Sequence, residues 1–401
     1  MRAKQARFTG PTPHDKLSTR ETKGDQSVTA IQIGPQEMAE RYLSGHAEVE
    51  FGEHGGLIPH RLPATARAQS DDPGFHWVEA CAAGVRLRLR TAASRLELTL
   101  AATASKPYER QASIPRLTVR EEDSATVLEL DRFAVEVADS QGDVTLLDAK
   151  PAVVRIEREP LDAELEIMLP HGAQVELLGL EANAEVHPAQ PSQAPRWVHY
   201  GSSISHCWES GSPERTWPAQ VASAMGWELR NLAFAGHAQL DQAVARVIRD
   251  EPANLITLKL GINVVADDTM RYRTFQPAVH GFLDTVREGH PTTPVVVISA
   301  VSCPMLEELP GPVFFKDGRF QVTGRAIDDD VGALTLADTR EIVQRAVAQR
   351  SATDPNLHYL RGLELFRHDD AHLLYDDLHP NQRGYDLIGR RFMEKLPVRP
   401  C

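Results

Sequence analysis

The chain has 401 residues, 43 Lys and Arg against 56 Asp and Glu, a formal net charge of −13, and 42% hydrophobic and 25% charged residues. This is the balance of a globular protein long enough for two domains. Its acidity argues against nucleic acid or an anionic membrane surface as a partner, because both demand clustered Lys and Arg.

Residues 1–28 are polar and charged, and no apolar segment follows their basic residues. They are expected to form a disordered or loosely docked arm rather than a secretory signal. Over residues 29–187 apolar and polar positions alternate. Val85, Leu87 and Leu89 interleave with Arg86, Arg88 and Arg90, and Leu96, Leu98 and Leu100 obey the same rule, as do Val135 with Val137 and Leu165 with Ile167. A period of two means strands with one buried and one wet face, and many short strands of this kind predict an all-β sandwich resembling a jelly roll. Residues 188–195, with Pro188, Pro191 and Pro195, read as a stiff Pro-rich linker.

From 196 to 401 the pattern changes. Apolar runs at 197–200, 229–234, 255–260 and 295–301 read as buried strands. Helix-period segments at 218–225, 242–249, 275–288 and 334–350 lie between or after them, and a last helix is expected to start after Pro380, a favoured first-turn residue, and to run to about Lys395. Alternating strands and helices predict an α/β layer with a parallel sheet covered on both faces. Such sheets hold ligands at the carboxyl ends of their strands. Residues 313–322 alternate around Asp317-Gly318, a hairpin turn; it is either a lid over the site or a plain surface hairpin. No stretch reaches the ~20 apolar residues that span a bilayer. The four cysteines, Cys81, Cys207, Cys303 and Cys401, form no CxxC pair, so free thiols in a cytoplasmic protein are expected, without zinc or a disulfide framework.

Two short segments could carry chemistry. Gly201-Ser202-Ser203 follows the first buried strand, where a small residue lets the chain bend and leaves a hydroxyl exposed. That hydroxyl needs a base to become a nucleophile. Asp376-Asp377-Leu378-His379 precedes the last helix and supplies an imidazole, the natural general base near neutral pH. A carboxylate close by can hold the ring's tautomer and stabilise its charged form. Asp376, three residues before His379, is one candidate for that carboxylate and Asp377 the other. Gly236 and Asn263, each just past a predicted strand, could offer a backbone N–H and a side-chain amide to a developing oxyanion.

The ordered blocks Gly201-x-Ser203, Gly236, Gly261-x-Asn263 and Asp376-x-x-His379 resemble the SGNH superfamily, also called GDSL esterases and lipases, over roughly residues 196–396. The resemblance implies a flavodoxin-like three-layer α/β/α fold and a serine carboxylic-ester hydrolase working through an acyl-enzyme, without metal or cofactor. Ser203 would be the nucleophile, with Asp376 and His379 completing a triad. The backbone N–H groups of Ser203 and Gly236 and the Asn263 amide would form the oxyanion hole. The substrate would be a small-molecule ester or an acylated sugar. Some members of the superfamily transfer the acyl group to an alcohol or sugar hydroxyl, and some carry a β-sandwich ahead of the catalytic domain. Position 202, commonly Asp in the family, is Ser here. A carbohydrate-binding protein on an inactive hydrolase scaffold is the reading from another class. Weaker candidates are thiol chemistry at His206 and Cys207, a pocket walled by Trp208 and Trp217, and a polar loop containing His368, Asp369, Asp370 and His372.

Overall fold

Alternating side chains turn the N-terminal part into two facing β-sheets. The computed structural model describes residues 30–105, 112–122, 124–138, 144–147, 150–325 and 331–400; the arm expected at 1–28 and Cys401 lie outside them. One sheet is built around Arg95–Ser105 and Ala173–Ala182, antiparallel with Leu98 opposite Leu180 and a register shift between Leu177 and Gly179. The other is built around Arg86–Thr91 and Ala163–Met168, with Leu87 opposite Ile167 and Leu89 opposite Leu165. These leucines and isoleucines are buried in one cluster between the sheets, each worth about 1.5–3 kcal/mol in burial, while Arg90 between them pairs with Asp162 at the exposed face. Val186–Pro188 adds an antiparallel strand to the second sheet. The Pro-rich linker read from the sequence therefore begins inside the sandwich. Pro188 is tolerated because this short strand lies at the edge of its sheet.

The C-terminal part is a parallel sheet of β1 (Arg196–Gly201), β2 (Glu228–Ala233), β3 (Leu255–Lys259), β4 (Val295–Ile298) and β5 (Leu357–Leu360), in the spatial order β2-β1-β3-β4-β5. This is the flavodoxin-like order, and its switch point falls beside β1. The strands are buried on both faces, so they read as near-continuous apolar runs. Helices α1 (Trp217–Met225), α2 (Gln242–Asp250), α3 (Tyr272–Gly289), α4 (Leu336–Ser351) and α5 (Gln382–Lys395) complete the layers. Two helix starts differ from the sequence reading for the same reason. Thr335 accepts the N–H of Asp338 and Asn381 that of Gly384, so these side chains cap α4 and α5. Pro380 therefore sits before the cap instead of in the first turn. Strand β5 was not predicted from the sequence; its four residues, Leu-His-Tyr-Leu, are too short and too polar to stand out.

The two parts are locked together by buried arginines. Arg61 is fully buried. It donates to the carbonyls of Val78 at 2.5 Å, Glu79 at 3.1 Å, Ala233 at 2.7 Å and Asn231 at 3.3 Å, and lies over the Phe234 ring. Arg230 of β2 donates in return to the carbonyls of Gly45 and Arg61. Between them, Leu62, Ala66, Phe75 and Val78, from a stretch within the N-terminal part, pack into the hydrophobic core of the α/β layers. Burial lowers the Arg61 pKa to about 10, still charged at neutral pH. Arg61→Met is expected to reduce stability by roughly 3–5 kcal/mol, because it strands several buried carbonyls. Urea unfolding measures it, and a loss below about 1 kcal/mol would show that Arg61 is not the clamp.

Candidate active site

Ser203 stands where β1 ends and a short helix, Ser203–His206, begins. Its neighbours Ser202 and Ile204 are buried while Ser203 is half-exposed. The bend needs glycine at 201: a Cβ there would come within 2.4 Å of Ser205 Oγ. The helix closes at Cys207, which takes a left-handed φ of 57°.

His379 reaches this serine from 176 residues away in sequence, with Nε2 at 3.0 Å from Ser203 Oγ. Its Nδ1 lies 2.8 Å from Asp376 Oδ2. The other oxygen of Asp376 accepts the backbone N–H of His379 at 2.6 Å and of Leu378 at 3.0 Å. One fully buried carboxylate thus holds both the turn and the ring. Asp377 adopts a positive φ of 70° at the centre of that turn, and its carboxylate faces outward to Arg319 at 2.9 Å. Of the two aspartates left open by the sequence, Asp376 is the one whose carboxylate meets the His379 ring. Chemically, the arrangement can draw a proton from Oγ onto Nε2 while the carboxylate stabilises the resulting imidazolium.

The sheet order places further donors on either side of β1. Gly236 follows β2 with a φ of 77° and open space where a Cβ would be. Asn263 follows β3 and is buried. Its Oδ1 accepts the N–H of Ala238 at 3.2 Å, which leaves the amide nitrogen as the end free to donate. Among the described residues, the backbone N–H groups of Ser203 and Gly236 have no acceptor. Gln239, which the sequence did not flag, braces this loop by donating to Gly236 O and Asp267 and accepting from Thr269.

The hairpin Val313–Lys316 and Arg319–Val322 forms around Asp317-Gly318 and reaches the site. Phe320 lies edge-on to the His379 ring with centroids 5.4 Å apart, and its N–H donates to Asp376 O at 2.9 Å. Tyr375 stacks near the same imidazole, 6.3 Å between centroids, with its hydroxyl bonded to Glu209. The weaker sequence candidates find other roles. Trp217 is a core residue whose Nε1 donates to Ile204 O. Trp208 stacks on Trp77 at 4.9 Å, joining the two parts of the chain. Asp370 pairs with Arg391, and His368 bonds Ser302. His206 and Cys207 are buried: burial lowers the imidazole pKa well below its usual value and raises that of the thiol well above.

Residues 199–387 match the GDSL-like lipase/acylhydrolase family. No curated protein matches the chain in sequence. Among solved structures, the salicylyl-acyltransferase SsfX3 from a tetracycline biosynthetic pathway is 28% identical with a TM-score of 0.76, over 92% of this chain and 99% of that one. A family two carbohydrate esterase from Cellvibrio japonicus, 12% identical with a TM-score of 0.55 over 92% and 97% of the two chains, shares the fold. So does the acetyl xylan esterase Est2A from Butyrivibrio proteoclasticus, at 9% identity and 0.52 over 92% and 97%.

The buried thiols can be tested directly. Burial raises the pKa of Cys81 and Cys207 well above the usual value and that of Cys303 to about 12, so none is a ready thiolate. Iodoacetamide at pH 8 is expected to leave all three unmodified in native protein and to alkylate them after denaturation, as read by peptide mass mapping. Alkylation of native Cys207 would show that the turn bearing Ser203 opens.

Proposed function

The chain belongs to the SGNH hydrolase superfamily, whose members act on ester bonds as hydrolases or acyltransferases, and from that premise we propose that it hydrolyses a carboxylic ester through an acyl-enzyme on Ser203. One observation carries this reading: the unbroken line from Ser203 Oγ to His379 Nε2 at 3.0 Å and from His379 Nδ1 to Asp376 at 2.8 Å. Ser203 Oγ attacks the carbonyl carbon as Nε2 takes its proton. The tetrahedral oxyanion is met by the N–H groups of Ser203 and Gly236 and by the Asn263 amide. Collapse breaks the bond to the alcohol, which leaves with the proton from His379. Water then attacks the acyl-enzyme by the same route and frees the acid and the Ser203 hydroxyl. Ser202 takes no part in these steps, so its difference from the family's usual Asp leaves the chemistry intact.

The likeness to an acyltransferase along nearly the whole of both chains favours a second reading. An alcohol or sugar hydroxyl would replace water in the second half, and the acyl-enzyme would be the same. A small-molecule ester or acylated sugar fits either course. The inactive-scaffold alternative is disfavoured by the assembled hydrogen-bond line.

Assayed on a panel of aryl esters and acetylated sugars, Ser203→Ala is expected to lose at least about 10³-fold in kcat. Full activity in that variant would refute the proposal. Asn263→Ala is expected to lower kcat about 10²–10³-fold with KM little changed. Adding alcohol or sugar acceptors and separating the products divides the two courses: acylated acceptor marks transfer, free acid alone marks hydrolysis.

A further inference from the structure

Beneath the Ser203 turn lies a set of buried polar atoms that the proposed steps do not use. Lys259, the last residue of β3, is 2% exposed. Among the described residues, its Nζ has no hydrogen-bond partner, nor do His199 Nε2, Ser202 Oγ and Ser205 Oγ. The sheet brings Lys259 and His199 to one face. His199 on β1 stands opposite Thr257 on β3, and its Nδ1 lies 2.6 Å from Thr257 Oγ1. Lys259 comes two residues after Thr257 and projects from the same face. The Cβ position of Gly201 lies 2.4 Å from Ser205 Oγ and 3.3 Å from His199 Nε2, so both atoms crowd the bend that presents Ser203. Lys259 is close enough to lower the basicity of His199, after burial itself, and to interact with Cys207. Burial lowers the pKa of its own ammonium to about 8.

An unneutralised buried cation is costly, and Met would fill the same volume without that cost. Buried polar groups lacking a protein partner are met by internal water. Here a donor with three N–H bonds lies on the face of the sheet that carries His199, whose Nε2 meets Ser205 Oγ at the Gly201 bend. We propose that Lys259 is a positioning residue for Ser203: through internal water its ammonium ties together Ser205 Oγ and His199 Nε2 and thereby fixes the turn on which the nucleophile stands. This rests on the reading of Ser203 as nucleophile.

Two sets of variants test it, read by fluorophosphonate labelling of Ser203 and by kcat and KM on an aryl ester. Lys259→Met is expected to raise Tm by about 2–5 °C while labelling rate and kcat fall about 10–100-fold, as for a small misplacement of the reacting atom, with KM within about twofold. The Ser205→Ala variant approaches the network from the acceptor side. It is expected to slow labelling similarly, and adding Lys259→Met is expected to cost little more. A more stable but slower enzyme is the signature that a merely structural lysine would not give. If wild type labels at Ser203 and folded Lys259→Met or Ser205→Ala labels equally fast, the proposal is overturned and the nucleophile reading stands. If Lys259→Met is slow only in proportion to lost Tm, it is also overturned. If wild type does not label, the nucleophile reading falls, and this inference with it.

Discussion

A single hydrogen bond, Ser203 Oγ to His379 Nε2 at 3.0 Å, joins the start of the α/β part to its last loop, and much of the architecture serves to keep that distance. Neither partner is held by its own secondary structure alone. Ser203 depends on a bend that only Gly201 permits. His379 depends on Asp376, whose two oxygens satisfy a ring nitrogen and two backbone N–H groups. A buried carboxylate is stable when it is fully hydrogen-bonded, so the same contacts that remove its desolvation penalty also fix the imidazole.

The parallel sheet supplies the rest of the convergence. With β1 between β2 and β3, loops leaving the neighbouring strands must flank whatever β1 presents. Gly236 and Asn263 therefore lie to either side of Ser203, although they are 27 residues apart in sequence. The hairpin adds an outer contact: Phe320 and Arg319 grip the Asp376-Asp377 turn from outside. The loop that carries His379 is thus held from within by its own carboxylate and from without by an insertion.

The β-sandwich is more than a neighbour. Arg61 and Arg230 reach across in opposite directions and end on backbone carbonyls at the C-terminal end of β2 and on the stretch that enters the α/β core. Guanidinium groups suit this task because they present several donors in a rigid plane. The strand end that leads to Gly236 is thereby anchored in part by the N-terminal half, so the stability of the site and the union of the two halves are linked.

Local pattern determined much of this protein. The period of two over residues 29–187 and the apolar runs after 196 were sufficient for a sandwich followed by a parallel α/β sheet, because each periodicity follows from which faces must be dry. Most strand and helix limits differ from the sequence reading by only one to three residues, and side-chain caps at Thr335 and Asn381 account for the starts of α4 and α5. Other features depended on packing between distant segments and were not legible. Strand β5 forms because β4 offers it an edge. Leu62, Phe75 and Val78 join a core far along the chain because Arg61 ties their backbone to β2. The distinction between Asp376 and Asp377 required the turn's left-handed residue. Lys259 read as one more position in a buried strand, and only its burial on the face it shares with His199 set its charge apart. Periodicity records which side of an element faces the core, but not which residue waits on the other side of it.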